Sequence, residues 1–192
     1  MSSMQTSNEI LSDQRLQELS SAIGVMVMMH GKYDEFLRQA CVQLAQQLDP
    51  TFPTSTTNEH GREIQPKTAQ VDKIFRRRLP DVRRADSTMK SEPRARMFVA
   101  ALAHLDYPPH LVESWRIMLM ALDAVNKVRN RIVHDPWIEI TGSDGTPVWM
   151  AAKDGRRWEV KSVNGIEQVR EVVQTYDSLA PRFLQLLEHI GC

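Results

Sequence analysis

HLVESWRIMLMALDAVNKVRNRIVHDP, residues 110–136, is the stretch on which the fold turns. Leu111, Trp115, Met118, Leu122, Val125 and Ile132 return at intervals that keep one side of an α-helix apolar. This predicts a helix from about His110 to Val133. Asp135-Pro136 ends it, because the residue before a proline avoids helical dihedrals. At ~100° per residue, Arg129 falls on the apolar stripe close to Leu122. A cation there must be paired or must line a cleft. On a neighbouring face Asn126, Asn130 and His134 stack at i, i+4 and i+8.

Working outward toward the N-terminus, residues 91–105 read as a helix that opens at Ser91-Glu92-Pro93 and carries Met97, Phe98, Ala101, Leu102 and Leu105. Asp106-Tyr107-Pro108-Pro109 stops it. A polar connection spans 80–90. Before it, Pro66 suits the first turn of a helix to about Leu79, so helices occupy 66–134 up to the end of the quoted stretch. Residues 50–65, rich in Thr, Ser, Pro and Asn, read as a loop. The N-terminal helical region, 7–49, repeats Ile10, Leu11, Leu16, Leu19, Ile23, Met26 and Val27. It continues with Phe36, Leu37, Cys41, Leu44, Ala45 and Leu48. Gly24 and Gly31 bend such a helix without having to break it. Met26, Met28 and Met29 suit an adaptable core better than a metal site.

On the C-terminal side, residues 137–163 read as an antiparallel β-meander. Asp144-Gly145 and Asp154-Gly155 are two-residue hairpin signals. Pairing strands about them collects Ile138, Ile140, Trp149, Ala151, Trp158 and Val160 on one face. Glu139, Thr141, Val148, Met150, Arg157, Glu159 and Lys161 fall on the other. Asn164-Gly165 closes the sheet. A last helix, 166–190, carries Val169, Val172, Val173, Tyr176, Leu179, Phe183, Leu186 and Leu187, with Pro181 as a candidate kink. The expected architecture is mainly α: a helical bundle in one domain over 1–192, with a small three-stranded meander before the C-terminal helix.

Composition bounds the function. The chain has 192 residues, 42% apolar and 25% charged, an ordinary globular balance. Its 24 basic and 24 acidic residues cancel, which argues against coating nucleic acid or membrane through bulk charge. Charge is nonetheless uneven: residues 62–96 hold Arg76, Arg77, Arg78, Arg83, Arg84, Lys90, Arg94 and Arg96. That run reads either as a solvated face or as a surface for RNA or an acidic partner. Cys41 and Cys192 form neither a disulfide framework nor a zinc motif, and read as reduced thiols in a cytoplasmic protein. No signal peptide, no membrane span, no metal site and no cofactor are expected. A Walker loop, a dinucleotide fingerprint, G-x-S-x-G and HExxH are all missing.

Arg129-Asn130-Arg131-Ile132-Val133-His134 resembles the R-x4-H signature of the HEPN superfamily, which often has Asn straight after the Arg. The context is similar too: a motif closing a long helix, with another helix after it, and an earlier long helix containing Gly24 and Tyr33-Asp34-Glu35-Phe36. The resemblance implies one of two functions. Many members are metal-independent endoribonucleases, often toxins or antiphage effectors, that act as dimers with the motifs facing across a cleft. Others are inactive nucleotide-binding or scaffolding modules. A toxin role implies a cognate antitoxin or regulatory protein. The meander departs from the family pattern and reads as an elaboration.

The residues themselves support the same chemistry. Metal-free RNA cleavage uses the 2′-hydroxyl as nucleophile and leaves a 2′,3′-cyclic phosphate. It needs a proton carrier and a cation to hold the phosphorane charge. His134, at a helix C-terminus, suits the first task. Arg129, with a planar fork, suits the second. Asn130 orients His134 or binds a phosphate or ribose oxygen. Lys127 and Arg131 flank a phosphate path or belong to a solvated face. Residues five apart are ~140° apart on a helix, so one motif makes a poor site and a two-fold pair a better one. The competing structural reading makes His134 a helix cap and pairs Arg129 with Asp123, Asp135 or Glu171.

Overall fold

The computed structural model describes residues 3–53, 55–57, 60–64, 66–79, 93–134, 137–141, 147–151 and 165–192. Among them the chain is mainly helical. The first helix, α1 (Ser3–Leu48), runs unbroken through Gly24 and Gly31. Leu19, Met26, Tyr33 and Ala40 are buried at every seventh position. Between them stand half-buried Ile23, His30 and Leu37, then buried Leu44. This is a heptad seam, narrower than the stripe of an ordinary amphipathic helix. It leaves Val27 and Phe36 exposed, contrary to the expectation that both lie on the apolar face.

Residues 50–65 are not simply a loop. Two short strands, β1 (Thr56–Thr57) and β2 (Glu63–Ile64), pair antiparallel within them. Helix α2 (Thr68–Arg78) begins two residues later than Pro66 suggests. Its N-cap is Lys67, whose N–H donates to Gln70 Oε1 at 2.8 Å, so Pro66 precedes the cap. Helix α3 (Pro93–His104) ends in a Schellman arrangement. Asp106 has φ 58°, and the N–H of Tyr107 donates to Leu102 O while that of Asp106 donates to Ala103 O. Helix α4 (Pro109–His134) covers the quoted stretch. Every apolar member of its predicted stripe is buried, from Leu111 to Ile132.

Strands β3 (Trp137–Thr141) and β4 (Pro147–Ala151) form an antiparallel pair whose register corrects the expected one. Ile138 is opposite Met150 and Ile140 opposite Val148, with Thr141 opposite Pro147. A two-residue turn at Asp144-Gly145 would set Ile140 opposite Trp149. The observed pairing is centred on Asp144, so the connection 142–146 has an odd length, and a slip of one exchanges the faces of β4. The third strand of the expected meander, its Asp154-Gly155 turn, the Asp135-Pro136 stop, and Arg83, Arg84 and Lys90 lie outside the described residues. Helix α5 (Gly165–Glu188) passes through Pro181. Its buried series is Val169, Val172, Tyr176, Phe183, Leu186 and Leu187, with Val173 and Leu179 half-buried.

The chain groups into two compact units, and α1, α4 and α5 each contribute to both. One unit comprises Lys32–Asp123 and Leu179–Cys192. Its core is aromatic: Phe183 lies 4.8 Å from Tyr33 and 5.8 Å from Trp115, centroid to centroid, and Trp115 lies 4.8 Å from Phe98. Such tilted contacts add to the area each ring buries. The end of α1 is tied down nearby, where Asp49 Oδ2 pairs with Arg78 at 3.2 Å and Oδ1 accepts from Thr51. The other unit comprises Met1–Gly31 and Ala124–Ser178 and contains the R-x4-H segment. No helix of the described residues is long and apolar enough to cross a membrane.

Candidate functional site

The site grows out of the seams. In α4, Leu111, Trp115, Met118, Leu122, Val125, Arg129 and Ile132 alternate steps of four and three without a break. Arg129 therefore occupies a core-facing heptad position, and its residue is half-buried between buried Val125 and Ile132. In α5 the same arithmetic gives Val169, Val172, Tyr176, Leu179, Phe183 and Leu186. In α1 it places His30 between Met26 and Tyr33. Among the polar-headed seam residues are His30 in α1, Arg129 in α4 and Tyr176 in α5.

All three belong to the unit that holds the motif, and His30 and Tyr176 meet there. Tyr176 is fully buried, and its hydroxyl donates to Asn126 Oδ1 at 2.7 Å. The same oxygen lies 3.3 Å from His30 Nδ1. Burial pushes the Tyr176 phenol above its ordinary range, and the positive charge of Arg129 opposes that shift. The phenol is therefore a neutral donor at physiological pH. Arg129 Nη1 donates to Asn130 Oδ1 at 2.6 Å. Its Nε is buried and has no hydrogen-bond partner among the described residues. Neither Asp123 nor Glu171 pairs with it, and no other described carboxylate does. A half-buried cation without a carboxylate, with one donor idle, is costly to keep, roughly 1–3 kcal/mol for the idle donor alone.

The remaining candidates are placed as follows. His134 is the last residue of α4 and is exposed there; the hydrogen bonds of Arg129 and Asn130 to each other do not include it. Asn130, Lys127 and Arg131 are exposed on the same helix. Arg76, Arg77 and Arg78 form the exposed last turn of α2, in the other unit, with Arg78 engaged by Asp49. So the motif brings Arg129 to Asn130, and Tyr176 meets Asn126 and His30. The sequence reading placed Tyr176 on the apolar stripe of the last helix and did not single out His30. The seven-residue spacing was the signal that pointed to them. No cluster of His, Cys, Asp and Glu suited to a metal occurs among the described residues. In comparisons with family models, curated proteins and solved structures, nothing matches this chain.

Proposed function

We propose that the chain is a metal-independent endoribonuclease of the HEPN type, acting in the cytoplasm as a homodimer with a composite Arg129/His134 site. The observation that carries the reading is Arg129: a half-buried guanidinium in an apolar seam, with no carboxylate among the described residues to neutralise it. A phosphodiester is the anion its fork fits. His134 stands exposed at the end of α4. In the proposed step the RNA 2′-oxygen attacks phosphorus and gives its proton to the neutral imidazole of one protomer. The P–O5′ bond breaks, and the partner's imidazolium supplies the proton to the departing 5′-oxygen. Arg129 holds the phosphorane charge and Asn130, bonded to it, holds the fork in place.

A second reading has its own support, the bonding of Tyr176 to Asn126 and its approach to His30, none of which the proposed cleavage uses. In that reading the chain is a catalytically silent module that binds a nucleotide or a regulatory partner, and its neutral net charge agrees. Cleavage of a mixed RNA pool with chelator present separates the two. The nuclease reading expects 2′,3′-cyclic ends from the wild type and a loss of at least about 100-fold in His134→Ala. No cleavage, with thermal stabilisation by a nucleotide, establishes the binder. In a toxin role, toxicity on expression would be relieved by Arg129→Ala.

A further inference from the structure

The proposed chemistry needs a second copy, and α1 carries a face that fits one. Its inner seam runs through Leu19, Met26 and Tyr33. A second run of alternating four- and three-residue steps, Gln17, Ser21, Gly24, Met28 and Gly31, lies on the opposite side of the helix and is exposed throughout. Met28 is 63% exposed, the most of any large apolar side chain among the described residues, and exposed Val25 and Val27 flank it. Gly24 and Gly31 stand in the interior of a helix, where glycine is a poor choice. A Cβ on either would meet nothing within 4 Å, so no contact among the described residues calls for glycine there. What glycine provides at such a place is a gap into which a neighbour can come close. Single apolar residues on a surface need no account, but three of them around two unforced glycines on one face mark an interaction surface.

We infer that this face of α1 docks on itself: α1 of a second copy lies antiparallel along it, about a two-fold axis level with Met26. A two-fold interface brings the same patch of both copies together, so the patch must complement itself. Antiparallel pairing at that level does so. It seats each Met28 over the partner's Gly24, a large side chain in a gap, and each Gly31 over the partner's Ser21. It sets Val25 beside the partner's Val25 and Val27 beside the partner's Val27. On the flank it brings exposed Lys32 beside the partner's Glu18, itself exposed, and symmetry makes that ion pair twice. A parallel pair would instead set Met28 on the partner's Met28, leave the glycine gaps facing each other and turn Lys32 toward the partner's Val27. Bulk and charge thus choose the same occupant and the same direction. The inference rests on the homodimer of the proposed function and names its surface; it uses none of the cleavage chemistry.

The test is analytical ultracentrifugation of the full chain, joined to disulfide mapping. Wild type should sediment as a dimer of the 22.0 kDa chain. Gly24→Leu fills the gap with a side chain whose Cβ is unopposed within the chain, so helix content by circular dichroism should hold while the particle falls to one chain. Lys32→Glu should weaken association about tenfold, the size of two exposed ion pairs turned repulsive, and adding Glu18→Lys should restore it. For the direction, Cys41 and Cys192 are first replaced by Ala. An equimolar mixture of Gly24→Cys and Met28→Cys chains should then cross-link on mild oxidation as the mixed dimer, faster than either variant with itself.

A wild-type chain that stays a monomer overturns the inference and the homodimer together, and leaves the face to a different protein. A dimer indifferent to Gly24→Leu or to Lys32→Glu overturns the surface alone, as does a failure of Glu18→Lys to restore what Lys32→Glu lost; the homodimer then stands on another face. Cross-linking of Gly24→Cys to itself ahead of the mixed pair overturns the antiparallel direction. A dimer that meets every expectation in a chain that cleaves no RNA sinks the nuclease reading alone. The two charge variants change exposed side chains, so they decide the matter even where Gly24→Leu fails to fold.

Discussion

Asp49 is the buried carboxylate of the described residues, and its oxygens are fully engaged. The Thr51 hydroxyl donates at 2.7 Å, the Thr51 N–H donates at 3.2 Å, and Arg78 pairs at 3.2 Å. The Thr51 hydroxyl bond is the largest cause that holds the Asp49 carboxyl below its ordinary range; burial works against it, and Arg78 adds to the lowering. A folded-state pKa below the unfolded one means stability that is present above about pH 4 and lost as pH falls through the folded value. Asp49→Asn should therefore melt at lower temperature than wild type at pH 7, and the gap should close toward pH 3. Thermal melts across that range check it, and a gap of constant size would refute the assignment. The same pair bears on function: Arg78 anchors α2 to the end of α1, which leaves Arg76 and Arg77 as the cations of that turn for any phosphate.

At the scale of elements, seam positions decide what each helix does. Arg129 takes a heptad position that Leu would fill, and nothing acidic among the described residues rewards it. Replacing a poorly compensated charge by a well-packed apolar side chain is neutral or stabilising. Arg129→Leu should raise stability by about 1 kcal/mol, or roughly 2–4 °C in Tm for a chain of this size, while abolishing phosphate binding. Calorimetry reads the first effect, and a fall in Tm would show that the guanidinium is structural. For the hairpin, the register sets Ile138 opposite Met150. Directly opposed antiparallel residues have Cα atoms about 4.5–5.5 Å apart, within disulfide reach. Ile138→Cys with Met150→Cys should cross-link on mild oxidation faster than Ile138→Cys with Ala151→Cys. The reverse order would restore the two-residue Asp144-Gly145 turn.

At the scale of the molecule, the proposed chemistry needs two copies. Arg129 and His134 are five residues apart on one helix, so each copy presents them in different directions. Light scattering should give twice the 22.0 kDa of one chain. Mixing Arg129→Ala with His134→Ala protomers should recover cleavage in the hybrid, while each parent alone stays inactive. A strictly monomeric particle that cleaves RNA would require a different arrangement. Charge points the same way: with a net charge of zero, the grip on RNA must come from local cations and not from the overall field.

Much of this was legible in the chain itself. Periodicity alone places α4 and α5 to within a residue or two, because an apolar stripe of period near 3.6 has few other ways to be buried. The stop at Asp106-Tyr107-Pro108-Pro109 follows from turn chemistry that is local by nature. Arg129 stands out for the same reason, as a charge on an apolar face. What one strand of text does not contain is which seams meet. The convergence of His30, Asn126 and Tyr176 joins residues 50 and 146 positions apart. The one-residue shift in the β3–β4 register is likewise a matter of which residues face each other across the pair. Local sequence set the helices and their faces through short-range sterics and solvation; the choice of neighbours came from packing the whole chain, where only the folded geometry reveals which donor finds which acceptor.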